Sequence, residues 1–166
     1  MHESMCAVPV TYHLFYLIDF QDETVPAPKD LEESNGLICP LRSGAVVITG
    51  TDTGKVTVSV DLHDAEPELS MDGWDEGADV SVHAPHGKLN VDAVGYEFPG
   101  LPELSTQGPG WYRIRCLARN RLAELNSIGS DPRSEEYLIV CWPAPPAPER
   151  VHAIQWHISG RPYAGS

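Results

Sequence analysis

Lys55-Val-Thr-Val-Ser-Val-Asp-Leu62 alternates without a break. Val56, Val58, Val60 and Leu62 fall on one side, and Lys55, Thr57, Ser59 and Asp61 on the other. A period of two sends successive side chains to opposite faces of an extended chain, so the first set faces a core and the second faces water. A helix would scatter the same valines around its axis. This stretch reads as a strand, and it sets what to look for on either side.

Upstream, Ala45–Thr49 is apolar and is joined to Lys55–Leu62 by Gly50-Thr-Asp-Thr-Gly54, which predicts a hairpin. Val10–Ile18 (VTYHLFYLI) is apolar on both faces, the pattern of a central strand covered on both sides or of a strand at a domain contact. Residues 21–34 are acidic with two prolines and read as an exposed loop, followed by a short apolar run at Leu37–Cys39. Downstream, Ala78–His83 and Lys88–Ala93 predict a second hairpin turned by Ala84-Pro85-His86-Gly87. A long connection ends in Gly108-Pro109-Gly110 and launches a strand at Trp111–Ala118. Residues 119–133 are polar, with one helical turn expected at Arg121–Leu125. The last strand, Glu135–Trp142, stops at Pro143-Ala-Pro-Pro-Ala-Pro148, which cannot donate ladder bonds.

Seven or eight short strands separated by turns predict an all-β fold: a two-layer antiparallel β-sandwich in one domain over 1–148. Residues 149–166 read as a C-terminal tail able to add a short strand at Val151–Ile158. The expected core is Val56, Val58, Val60, Val80, Val82, Leu89, Val91, Ile114, Leu138 and Val140. At 166 residues the chain can bury a sizeable core without a disulfide or a metal. The opening MHESMCAVPV has no basic and then apolar run of a signal peptide, and no apolar stretch reaches the roughly 18–20 residues of a membrane helix. Cys6, Cys39, Cys116 and Cys141 lack CxxC spacing. The expectation is a cytoplasmic protein with reduced thiols.

Charge is unevenly spread. Residues 1–104 carry 19 acids and 4 bases (−15), and residues 105–166 carry 5 acids and 7 bases (+2), which together give the net −13. Asp61, Asp64, Glu66, Glu68, Asp72, Asp75, Glu76 and Asp79 follow one another within 19 residues that contain no Lys or Arg. Such a field repels nucleic acid and anionic membrane and speeds encounter with a basic partner. These eight acids and Trp74 among them are the candidate partner-binding residues; a solvated loop that only aids solubility is the bland alternative. Calcium could also take these carboxylates, but DGWDEGAD departs from the D-x-[DN]-x-[DN]-G loop.

Other constellations are weaker. His83-Ala-Pro-His86 has an HxxH spacing, but it lies on a turn and lacks a third ligand at fixed spacing; His63 and His13 could join it only through folding. Trp111-Tyr-Arg-Ile-Arg115 alternates so that Trp111, Arg113, Arg115 and Leu117 share one face. Its arginines are expected to bridge acids such as Glu135 and Glu136 across the sheet. No G-x-S-x-G, Cys–His or Walker pattern occurs, so no catalytic residue, metal ligand or cofactor is assigned.

The order of landmarks is itself informative. Tyr12-His-Leu-Phe15 opens the series, and Asn35-Gly-Leu-Ile38 follows an acidic loop. Gly108-Pro-Gly-Trp-Tyr-Arg-Ile-Arg115 comes next, then Glu135-Glu-Tyr-Leu-Ile139 running into Cys141-Trp-Pro143. Over residues 10–145 this order resembles a family of bacterial β-sandwich proteins without an assigned role. More distantly it is similar to the ComJ-like competence nuclease inhibitors. Those inhibitors bind and restrain a DNA-degrading nuclease, and the resemblance implies a cytoplasmic binding module of an inhibitory kind. With the charge argument it gives the leading expectation: an acidic inhibitor or immunity-type protein that masks a basic partner, a nuclease or toxin. The alternative is a β-sandwich recognition module for a carbohydrate or small ligand, with Trp74, Trp111 or Trp142 stacking on it and acids fixing calcium. A third reading is a metal-dependent enzyme using His63, His83 and His86.

Overall fold

The computed structural model describes residues 3–22, 25–93 and 95–160, apart from the side chains of residues 3 and 130–133. Within them the chain forms β1 (Glu3–Val10), β2 (Leu14–Asp19), α1 (Pro28–Glu33), β3 (Ile38–Pro40), β4 (Ala45–Ile48) and β5 (Thr53–Leu62). It continues with β6 (Glu76–Ala84), β7 (Leu89–Asp92), β8 (Gly110–Arg119), β9 (Ile128–Pro143) and β10 (Arg150–Ala153). One sheet runs β1-β5-β9-β8-β6-β10 and the other β3-β4-β2-β7. The expected all-β, two-layer architecture is what the chain adopts.

The core lies between the sheets. Val56, Val58 and Val60 of β5 meet it beside Val80 and Val82 of β6, Ile114 of β8, and Phe15, Val47, Leu89 and Val91 from the smaller sheet. Phe15 meets Tyr137 edge to face at 5.4 Å across the interface. On β9 the phase is the reverse of the expected one. Tyr137, Ile139 and Cys141 point into the core, while Leu138 is only half-buried and Val140 is buried on the outer face. Apolar residues on both faces hide the phase, because both faces of β9 are covered.

Four further details depart from the expectation. Val10–Ile18 is not continuous: Tyr12 (φ 52°) and His13 (φ 69°) turn the chain between β1 and β2. β1 lies on β5 as an edge strand, where the missing N–H of Pro9 is tolerated. β5 runs parallel to β9, so the sandwich is not purely antiparallel. The acidic connection after β2 contains α1, started by Pro28 at its first turn and by Asp30, which accepts the Ala27 N–H at 2.8 Å.

Both expected hairpins are instead corners between the sheets. β4 and β5 do not pair, and neither do β6 and β7. At the first corner the Glu135 carboxylate accepts the Gly50 and Thr51 N–H groups at 2.8 and 2.9 Å. A Cβ on Gly50 would stand 2.1 Å from the Arg121 carbonyl oxygen, so the backbones meet there only because position 50 is glycine. At the second, buried Asp19 accepts the His86 and Lys88 N–H groups at 2.6 and 2.8 Å. The tail contributes β10, which lies on the edge of β6 through Arg150↔Asp79 and Val151↔Ala78.

Candidate functional site

Alternation puts Asp61, Asp79, Arg113, Arg115, Leu117, Leu138, Val140 and Trp142 on the outward face of the larger sheet, opposite their core-facing neighbours. Residues 63–75 leave β5 and must pass β9 and β8 to enter β6, so the acidic segment lies across that face. Three arginines fasten it from below. Arg115 donates to Asp79 from Nε (2.9 Å) and Nη2 (3.1 Å), to the Pro67 carbonyl from Nη1 (3.1 Å), and reaches Glu66 at 3.5 Å. Arg119 donates to the Gly73 carbonyl at 3.2 Å and to Glu136 at 2.6 Å, and its guanidinium lies 4.6 Å from the Trp74 ring centre. Arg150 of β10 stands 3.4 Å from Glu66.

The nine candidate residues therefore divide. Asp64, Glu66, Glu68, Asp72 and Asp75 are exposed on the loop. Among the described residues, Asp64, Glu68 and Asp72 make no ion pair. Asp75 accepts the Asn120 N–H at 2.9 Å, and partly exposed Asp61 is 2.8 Å from His63 Nε2. Trp74 is partly covered by Arg119.

Glu76 and Asp79 do not belong to a surface patch. Their exposures are 0% and 1%. Glu76 faces inward in phase with Ala78, Val80 and Val82, and it bonds Arg121 Nε at 2.7 Å and the Gln155 N–H at 2.9 Å. Asp79 pairs across the strands with Arg115 and has His152 Nε2 at 3.1 Å. Buried carboxylates require such partners, which is why these two are spent internally. The run of acids in the sequence conceals this; the signal that separates Glu76 is its phase with the β6 core residues.

Arg113 and Arg115 share the outward face as expected, but neither bridges Glu135 or Glu136. Arg113 donates to Ser81 and to the Ala147 and Pro148 carbonyls at 2.9–3.0 Å, holding the proline-rich segment against the sheet. Glu135 is buried at the first corner, and Glu136 pairs with Arg119. Of the tryptophans considered for ligand stacking, Trp142 is buried beneath Arg115 and Trp111 stacks on His83 at 4.7 Å. His86 lies by Phe20, and His13 by Trp156. Among the described residues no three His, Cys, Asp or Glu side chains gather as a metal set.

All four cysteines are free thiols. Burial pushes the thiols of Cys116 and Cys141 well up. Burial, with the charges of Asp30 and Glu149, raises Cys39 to about 11. These are inert thiols rather than nucleophiles.

No protein-family model matches the chain, and no curated protein does. Among solved structures, ComJ of Bacillus subtilis, an inhibitor of the DNA-degrading activity of NucA, aligns with a TM-score of 0.55 at 15% identity, over 87% of this chain and 96% of that one. Crocagin biosynthetic gene J aligns at 0.46 and 16% identity, over 86% and 99% of the two chains. The two sheets of this chain thus have the ComJ-like fold, at an identity that speaks for the fold alone.

Proposed function

We propose that this chain is a cytoplasmic, non-enzymatic binding protein that lays its acidic loop on a basic surface of a partner protein, of the kind a nuclease offers to its substrate, and so blocks that surface. The observation that carries this reading is the loop's construction. Asp64, Glu66, Glu68, Asp72 and Asp75 are exposed together on a segment whose backbone and flanks are held by Arg115, Arg119 and Arg150. A fastened row of carboxylates meets a partner with less ordering cost than a loose loop, and it steers association. The fold shared with ComJ, itself an inhibitor of a DNA-degrading activity, supports the same reading. Free nucleic acid and anionic membranes carry the wrong charge for this face.

The test is a panel of purified bacterial nucleases with basic DNA channels, each assayed on plasmid DNA with the chain in excess. Inhibition of at least one is expected, weakening about tenfold between roughly 50 and 300 mM salt as exposed charges are screened. No binding and no inhibition at the lower salt would overturn the proposal. The chain alone should turn over no nuclease, esterase or phosphatase substrate.

A further inference from the structure

Between the acidic loop and the sheet lies a cleft of about 290 Å³. Leu117, Leu138 and Val140 form its floor, and Trp74 and Pro67 line its side. Asp61, Glu68 and Asp72 also line it. An outward sheet position facing water alone would be polar; Leu138 instead stands half-buried there, offering apolar surface. Arg115 lines the cleft too, but its charge is met by Asp79 and Glu66. His63 is engaged with Asp61. Glu68 and Asp72 have no cationic partner among the described residues, so the cleft is negative.

An apolar floor beside unpaired carboxylates suits a side chain that is itself divided, with an aliphatic stem and a cationic head. A purely apolar occupant would desolvate the carboxylates without replacing their hydration, and an anion would meet them directly. We propose that the cleft is the anchor for one arginine or lysine side chain of the basic protein partner, its stem over Leu138 and Val140 and its head at Glu68 and Asp72. This inference rests on the masking function proposed above and adds to it the point of attachment.

The probes are butylguanidinium and its uncharged counterpart butylurea, titrated into the isotope-labelled full chain and followed by NMR. Butylguanidinium should shift the methyl signals of Leu117, Leu138 and Val140 and the Trp74 indole signal saturably, in the millimolar range of a single small ligand. Butylurea should bind at least about tenfold more weakly, since one lost charge contact is worth on the order of 1.4 kcal/mol. Combined Glu68→Gln and Asp72→Asn should weaken the guanidinium probe without changing Tm, and Leu138→Arg should block it by placing the chain's own cation in the cleft. Equal binding of the two probes overturns the proposal. So does a response spread over all exposed acids with none at Leu138 and Val140, or no saturable response up to about 50 mM. Should Leu138→Arg fail to fold, the paired Glu68 and Asp72 changes decide. If the probe seats but no basic nuclease is bound, masking falls and the cleft stands. If Leu138→Arg still inhibits a nuclease fully, the anchor falls and masking stands.

Discussion

Glu76 and Arg121 are paired in the interior with no solvent exposure on either side chain. The guanidinium also donates to the carbonyls of Gly36, Ile48 and Trp156 at 2.8–2.9 Å, and the carboxylate accepts the Gln155 N–H. Burial alone would lower the Arg121 pKa; the hydrogen bond and charge of Glu76 outweigh it and raise the value. One ion pair thus ties β6 to the segment before β3, to the end of β4 and to the tail.

Removing one partner of that pair strands a buried charge. Arg121→Met should cost about 3–5 kcal/mol, read as a fall in the urea midpoint. Changing both residues to apolar ones should recover part of the loss, because no uncompensated charge then remains. A single variant within about 0.5 kcal/mol of the parent would show that the pair does not hold the fold.

The acids of the 61–79 segment should divide by the same measurement. Asp64→Asn, Glu68→Gln and Asp72→Asn, each on the exposed loop, should change stability by no more than about ±0.5 kcal/mol apiece. Together they should slow association with a basic partner, most at low salt. Asp79→Asn leaves Arg115 without its buried counter-charge and should destabilise by about 3–5 kcal/mol. Parallel denaturation of the four variants checks the split; equal behaviour would contradict it.

Alkaline pH should weaken the fold. Burial raises the pKa of Tyr137, with the Glu135 charge adding to it, and burial likewise raises Cys116, Cys141 and Cys39. The unfolded chain then releases these protons first, starting near the ordinary thiol pKa of about 8.5, while the folded chain retains them. Fewer protons on the unfolded side means stability that is full below that pH and declines above it. Urea midpoints at about pH 7, 9 and 10 should fall in that order; a flat profile would rule out these groups.

Thiol reagents should report the same burial. Cys6 is the one cysteine that is not buried, so native protein at about pH 8 should react fast at one thiol and slowly at three. Cys39, raised to about 11, carries thiolate in only about one molecule in a thousand at that pH. Denaturant should release all four, and Cys6→Ser should remove the fast phase.

The layer architecture was legible because β5 faces a single core, so its valines keep a strict period of two. β9 hid its phase because the acidic loop covers its second face, making Leu138 and Val140 as apolar as Ile139. The turn residues around Gly50 and Gly87 announced reversals correctly. Whether a reversal closes a hairpin or changes sheet depends on distant partners, Glu135 and Arg121 for one and Asp19 for the other. The acidic segment was legible as charge but not as a site. Glu76 and Asp79 look like their neighbours until Arg121 and Arg115 are brought to them by folding.

The parallel union of β5 with β9 governs how the molecule comes together. A parallel neighbour cannot be laid down by a tight turn, so Thr57 must wait for Glu136 across the whole intervening chain. β1 in turn rests on β5, and β10 closes on β6 from the far end of the chain. Among the described strands, only β3–β4 and β8–β9 pair neighbours in sequence. Closure entropy must be met before most pairings return any free energy, which places refolding on the order of milliseconds to seconds. On a ribosome, the first strands would emerge with their partners still unmade, and a chaperone that shields β5 in that interval would raise the yield of folded protein.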